Sequence, residues 1–369
     1  MNKTTLALVI AGLASSSAFA QSNVTIYGIV DTSIRYVNHD NAAGNSNIKL
    51  DNGAISNSRI GFKGTEDLGG GLKANFRLEN GFSSDTGAMS SPGVLFSRQS
   101  WVGLSNSYGQ LRLGRQNTPL FDLLADHFDP LTVGNYDSNS WLPAGGTLVR
   151  TSNMVRYDGS FNNFAVGVSY AMGETAGSVR TGSQFSSSLQ YTLGSFSVGG
   201  GYQQTVSSTN SSYKATTANL NVSYVVGAAK LFAGYYNIKD DTGAYTTKYF
   251  AGNNSAASNL TTSTQNPGIA GIKRSDNAWF LGATYQLTPA WSLSGAGYYD
   301  TSKNVTLLNS GNLGSGKRYT LVAETEYALS KRTQLYGTVD YNKVKGAQSI
   351  ELANGKSQTG LGVGIRHIF

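Results

Sequence analysis

The residues able to do chemistry are few and unevenly placed. The chain has 3 histidines and no cysteine, which removes thiolate nucleophiles, disulfides and thiolate metal sites together. A hydrolase would need a histidine base within hydrogen-bond reach of a nucleophile. His39 falls in a long connection, His367 stands two residues from the end of the chain, and His127 sits among aspartates as a polar lining residue. The glycine clusters Gly69 to Gly71 and Gly199 to Gly201 lead into no helix, so neither is a phosphate cradle. Segregated charge is the stronger signal. Residues 117–149 carry Asp122, Asp126, Asp129 and Asp137 and not one Lys or Arg, while the stretches around them supply Arg59, Arg77, Arg98, Arg115, Arg150 and Arg156. Carboxylates set against guanidinium groups across water orient dipolar solutes and sort ions without making or breaking a bond. The spacing of Asp122, Asp126 and Asp129 fits no defined calcium loop, and no cofactor is expected.

Elements that could hold two such groups apart have to suit an unusual composition. Of the 369 residues only 13% are charged, against the roughly 25% of a soluble domain, yet 39% are hydrophobic and 45 are glycine. That is too apolar for disorder. The net charge of +7 is spread along the chain, without the concentrated footprint that nucleic acid requires. At the start, Lys3, the apolar run Leu6 to Leu13 and Ala18-Phe19-Ala20 make the three parts of a secretory signal peptide. Residues 1–20 are therefore expected to be cleaved, leaving 21–369 as one domain. The run Leu220 to Tyr236 is broken by Asn221, Ser223, Lys230 and a central Gly227; it reads as a hairpin, where a membrane helix needs about 20 mostly apolar residues.

Period-two alternation runs through the rest. Val24, Ile26, Val30 and Ile34 alternate with Thr25, Asp31, Ser33 and Arg35, and the pattern returns in Ile60 and Phe62, in Phe76 and Leu78, and in Leu361, Val363 and Ile365. Sixteen such segments centre near residues 30, 60, 76, 99, 112, 155, 168, 189, 200, 220, 234, 280, 297, 322, 338 and 363. The connections alternate between short turns, such as Asp67 to Gly70 and Asn106 to Tyr108, and long loops, such as 38–53 and 117–149. An even number of strands, greasy outside and wet inside, with short turns on one rim and long loops on the other, predicts an all-β fold: a 16-stranded antiparallel transmembrane barrel. A periplasmic sandwich would share the alternation but not this order of connections. Closure also removes the edges that so many Tyr- and Val-rich strands would expose.

Alternation aims Arg59, Arg77, Arg150 and Arg156 into the lumen, with Arg35 nearer the rim. Arg98 and Arg115 share the parity of Val102, Leu104, Leu111 and Leu113, and a guanidinium facing lipid at mid-depth costs ~2–4 kcal/mol. A bulge or a strand end is the expected resolution. With the acidic loop folded inward, the lumen-facing inventory favours a moderate anion preference. It should weaken as salt rises, because the screening length is about 8 Å at physiological ionic strength.

Several stretches resemble the general porins of Gram-negative β-proteobacteria: Val24 to Asp31, Ser58 to Ala74, Leu111 to Gln116, Tyr327 to Thr333, and the ending Gly362 to Phe369. The resemblance spans the mature chain. It implies a homotrimer among the lipid and lipopolysaccharide of the outer membrane, with the third loop, 117–149, folded into the bore as a constriction. It also implies that Arg59, Arg98 and Arg115 lie at that constriction and that Phe369 serves the assembly machinery. Passive diffusion of ions and small hydrophilic solutes is the expected function. Phe121, Phe128, Tyr136 and Trp141 leave open a channel specific for a sugar or carboxylate, which saturable block would distinguish; an adhesin would not conduct.

Overall fold

A computed structural model describes residues 23–131, 149–243 and 268–369. The signal segment 1–20, Asp137, Tyr136, Trp141 and most of the loop 241–272 lie outside the described residues. The strands are β1 (Asn23–Val37), β2 (Asn47–Asn52), β3 (Arg59–Gly69), β4 (Leu72–Gly81), β5 (Gln99–Asn106), β6 (Gly109–Asn117), β7 (Arg150–Phe161), β8 (Phe164–Ala171), β9 (Gln184–Leu193) and β10 (Phe196–Val206). They continue with β11 (Lys214–Val226), β12 (Ala229–Asp240), β13 (Arg274–Thr288), β14 (Trp291–Leu307), β15 (Gly311–Ala328), β16 (Thr333–Gly346) and β17 (Ser357–Ile368).

From β3 to β17 each strand pairs antiparallel with its neighbour in sequence, and β17 pairs with β1 from Ile29↔Ile368 to Val37↔Gly360. The sheet closes. Fifteen of these strands with β1 are the sixteen that alternation marked. The extra strand is β2, inside the connection 38–53. It pairs with the outer half of β1 (Thr32↔Asn52 to Val37↔Asn47), while β3 pairs with the inner half (Asn23↔Thr65 to Ile29↔Arg59). A six-residue strand whose Ile48 and Leu50 alternate with polar neighbours is too short to separate from loop by pattern alone.

Outward positions are exposed and apolar: Ile26, Leu220, Leu281, Leu321 and Val363 are all more than half accessible. A belt this large cannot face water in a monomer. Two bands of rings bound it. Tyr319 and Tyr327 on β15 stand roughly 27 Å apart along the strand and about 21 Å in height at the usual tilt, near the ~25 Å apolar band of an outer-membrane barrel. Every backbone donor in such a belt needs a partner within the protein, and the closed ladder supplies it. The turn at Gly69, Gly70 and Gly71 takes φ values of +85°, +60° and +81°, a left-handed run that only glycine enters at low cost.

Candidate functional site

The connection from β6 to β7 carries the acidic cluster, and its described part runs back along the inside of the wall. Thr118 caps a short helix, α1 (Pro119–Leu123), by accepting from the Phe121 amide at 3.3 Å, and a π turn (Leu124–Phe128) follows. The wall makes room with glycine. A Cβ at Gly199 would meet the Phe128 ring at 2.7 Å, one at Gly201 the Leu120 side chain at 2.8 Å, and one at Gly282 would run into the Pro130 ring. Around these dents the inward positions Phe232, Tyr236, Ile238, Phe280 and Tyr298 form one apolar cluster with Leu123, Leu124, Phe128 and Leu131. This corrects a uniformly wet inner face. On β12 to β14 the wall is apolar because a loop covers it, and burying each such side chain is worth about 1.5–3 kcal/mol.

The three described aspartates of the loop have different surroundings. Asp122 accepts from Arg156 Nη1 at 2.6 Å and from Asn117 Nδ2 at 2.7 Å. Asp129 is buried, accepting from the Tyr298 hydroxyl at 3.0 Å. It anchors the loop to the wall instead of facing the bore, contrary to the expectation for all three acids. Asp126 is the exposed one. Partial withdrawal from solvent inside the barrel, and then the neighbouring Asp122 carboxylate, push its pKa up to about 6. His127 beside it is pushed below the usual histidine range by burial and by Lys230. A cavity of about 520 Å³ on the short-turn side of the loop is lined by Asp122, Asp126, His127, Arg156, Asp158 and Gln190, among others.

The arginines gather on β3 to β7. Arg77 donates to Glu79 at 2.6 Å and to the Tyr27 hydroxyl at 2.5 Å, and Arg98 holds the other Glu79 oxygen at 2.6 Å. Arg98 precedes β5 and bonds inward, so it does not follow the parity of Val102. Arg156 and Arg112 share Asp158, and the Arg112 guanidinium lies over the Trp101 ring at 5.1 Å. Arg35 is spent on Asp340 at 2.7 Å near the rim. Among the described residues Arg59 and Arg150 have no carboxylate within ion-pairing distance; the Arg59 Nε donates to the Asn57 carbonyl at 3.1 Å. Arg115 keeps the outward register of Leu113, paired with Ser100, beside a register shift between Gly114 and Gln116. At this strand end it donates to the Ser97 carbonyl at 2.6 Å and the Ser152 hydroxyl at 3.0 Å. Glu79, Asp158 and Arg112 are absent from the sequence inventory, although the alternation of Arg112 with Leu111 and Leu113 marks its direction.

A second connection also enters the mouth. The one-turn helix Ala347–Glu351, between β16 and β17, is held by Glu351, which accepts from Arg274 at 3.1 Å and from Arg318 at 3.2 Å. Gln348 adds a bond to Asp300.

A closed sixteen-strand barrel with an apolar exterior, a charged interior and a loop packed against its inner wall is an outer-membrane channel. Residues 4–347 match the family described as Gram-negative porin, and the chain belongs to it. It is 33% identical to outer membrane porin protein 32 of Delftia acidovorans and 30% identical to an outer membrane porin protein of Bordetella pertussis, each over the full length of both chains. Among solved structures it is similar to an anion-selective porin from Comamonas acidovorans, at a TM-score of 0.71 and 28% identity over 94% of this chain and 100% of that one. The protein is a porin of the outer membrane of a Gram-negative bacterium.

Proposed function

We propose that the barrel is a water-filled channel for passive diffusion of ions and small hydrophilic solutes, with a moderate preference for anions. The observation that carries this reading is the pair Arg59 and Arg150, which lack a carboxylate partner among the described residues beside the Arg77–Glu79–Arg98 group. Glu79 is outnumbered by the guanidinium groups around it, so this arc of the wall is net positive. The similarity to an anion-selective porin supports the same sign. Charge lining a wide bore biases permeation without dehydrating the ion, so the preference falls as salt shortens the screening length. Reversal potentials across planar bilayers in a KCl gradient test this. Anion selectivity that shrinks at high salt is expected, with a shift toward cations in Arg59→Ala combined with Arg150→Ala. A cation-selective wild-type channel overturns the reading.

In this reading 117–149 is the constriction loop, and the mature chain begins at Gln21 and assembles as a homotrimer. Family resemblance supports the trimer, which native electrophoresis before and after heating checks.

A further inference from the structure

A third connection lies against the inner wall, and ion sorting by the arginines does not account for it. Between β2 and β3 the chain runs Gly53-Ala54-Ile55-Ser56-Asn57-Ser58. Ala54 and Ile55 are buried in one cluster with Tyr336 of β16. Tyr336 and Arg366 alternate with the exposed Leu335 and Ile365, so both point into the barrel. The segment they receive therefore lies inside it. Glycine again makes the room, since a Cβ on Gly364 would collide with the Tyr336 ring.

Asp31, in the middle of β1, holds this segment. It is 0% exposed, and among the described residues its carboxylate makes no ion pair. One carboxylate oxygen accepts from the Tyr336 hydroxyl and the other from the Ser56 amide at 2.8 Å. The Asp31 backbone adds to the grip: its amide donates to Ser58 Oγ at 3.0 Å, and its carbonyl accepts from the Gly53 amide at 3.0 Å and from Ser58 Oγ at 3.1 Å. Arg366, directly opposite Asp31 on β17, donates to Ser56 Oγ at 3.0 Å. Burying a carboxylate is costly unless its lone pairs are met. Here they are met by neutral donors that fix where the segment lies.

The segment delivers Arg59. The Asn57 carbonyl accepts from Arg59 Nε at 3.1 Å, and the residue between them, Ser58, is the one bonded to both the amide and the carbonyl of Asp31. In the ring of strands β1 and β17 stand across from β9 and β10, where Leu120 of α1 seats on Ser186 and Gly201. The bore is thus narrowed from two opposite sides. We propose that residues 53–58 are the second jaw of the constriction, and that Asp31 is a positioning residue that sets this jaw and, through it, the Arg59 guanidinium. The effect on ion preference rests on the proposed role of the arginine arc; the effect on solute size does not.

The test uses the full-length folded porin carrying Asp31→Asn, which keeps the side-chain shape and removes the charge. Reversal potential in a KCl gradient reads ion preference, and swelling of liposomes in mono-, di- and trisaccharides reads the size limit. An amide nitrogen in place of one oxygen meets a donor, so the jaw is released. Anion preference should fall toward that of Arg59→Ala, and the larger sugars should enter faster. In an Arg59→Ala background the same change should cost no further selectivity. A carboxylate acting only as a fixed charge gives the opposite sign, because its loss raises anion preference; that result overturns the proposal. So does lower heat resistance with both permeation readouts unchanged, which leaves Asp31 a purely structural role. Tyr336→Phe and Ser58→Ala keep the net charge and should move both readouts the same way, and they carry the test if Asp31→Asn does not fold. An unchanged size limit in all these variants overturns the jaw whatever the selectivity does. If Arg59→Ala leaves the reversal potential unchanged, it is the anion reading that fails, and the size limit still decides the jaw.

Discussion

Arg156 on β7 donates to the carboxylate of Asp122 at 2.6 Å while the same guanidinium holds Asp158 on its own strand. One side chain therefore ties the infolded loop to the charged wall, at a point separate from the apolar seat on β10 to β14. The described part of the loop, 117–131, is bolted near its start and packed against the wall beyond that point.

Asp122→Ala removes that bond and the one from Asn117, a loss of about 1.5–3 kcal/mol for a hydrogen bond to a charged group. The barrel ladder is untouched, so melting of the sheet should barely move. Open-channel current noise should rise as the loop end gains freedom. A quiet channel indistinguishable from wild type would mean that the apolar seat alone holds the loop.

Asp126 should make selectivity respond to pH. Its pKa is raised to about 6, so it is charged above that value and neutral below it. Lowering the pH from about 7.5 to about 5 removes one negative charge from each bore and should increase the anion preference, with a midpoint near the raised value. His127 titrates below its ordinary range, so its added positive charge comes at lower pH. Asp126→Asn should flatten the step in reversal potential; a step that survives this change belongs to another group.

Glu351 latches the last long connection between Arg274 and Arg318, with its side chain 1% exposed. Removing one member of a buried pair costs up to about 3–5 kcal/mol, and less here, because Arg274 keeps Asp276 at 2.8 Å and Arg318 keeps Asn342 at 3.1 Å. Glu351→Gln should therefore release the turn Ala347–Glu351. The expected signs are faster proteolytic cutting within 345–356 and a higher conductance at unchanged barrel stability. Protection equal to wild type would show that Gln348 and Asp300 suffice.

Phe369 and Gly28 exchange both backbone hydrogen bonds, at 3.1 and 3.0 Å. A Cβ on Gly28 would collide with the Phe369 ring and the Arg59 carbonyl. Gly28→Ala should lower the yield of heat-resistant barrel both in cells and in detergent refolding. Phe369→Ala separates closure from recognition by the assembly machinery: loss in cells with normal refolding in detergent supports the recognition role, whereas loss in both assigns Phe369 to closure alone.

The sixteen long strands are legible because each has a lipid face, and period two records that face directly in residues such as Leu361, Val363 and Ile365. Less visible is what the loop does to the inner wall. Trp279-Phe280-Leu281 is a continuous apolar run: Trp279 and Leu281 meet lipid, Phe280 meets the loop, and hydrophobicity alone cannot tell one oily neighbour from another. In sequence the glycines from 199 to 201 show only that they are no phosphate cradle; the fold sets Phe128 and Leu120 against Gly199 and Gly201. Charge partners divide in the same way. Arg77 and Glu79 are two residues apart on one strand face, so their contact follows from alternation, but Asp122 and Arg156 meet only through the path of the loop. Asp129 resembles its neighbours in sequence and is a wall anchor because Tyr298 lies opposite.

The inner wall is divided into two arcs, guanidinium groups on β3 to β7 and the loop seat on β10 to β14. Under the proposed function, substitutions in the first arc should change which solutes pass, while those in the second should change whether the loop stays in place. Drift in the arginines can thus retune a lineage's diet without endangering its architecture, and the seat can accumulate compensating apolar exchanges without altering permeability. Such a partition gives the protein two nearly independent routes of evolution, coupled mainly where Asp122 meets Arg156.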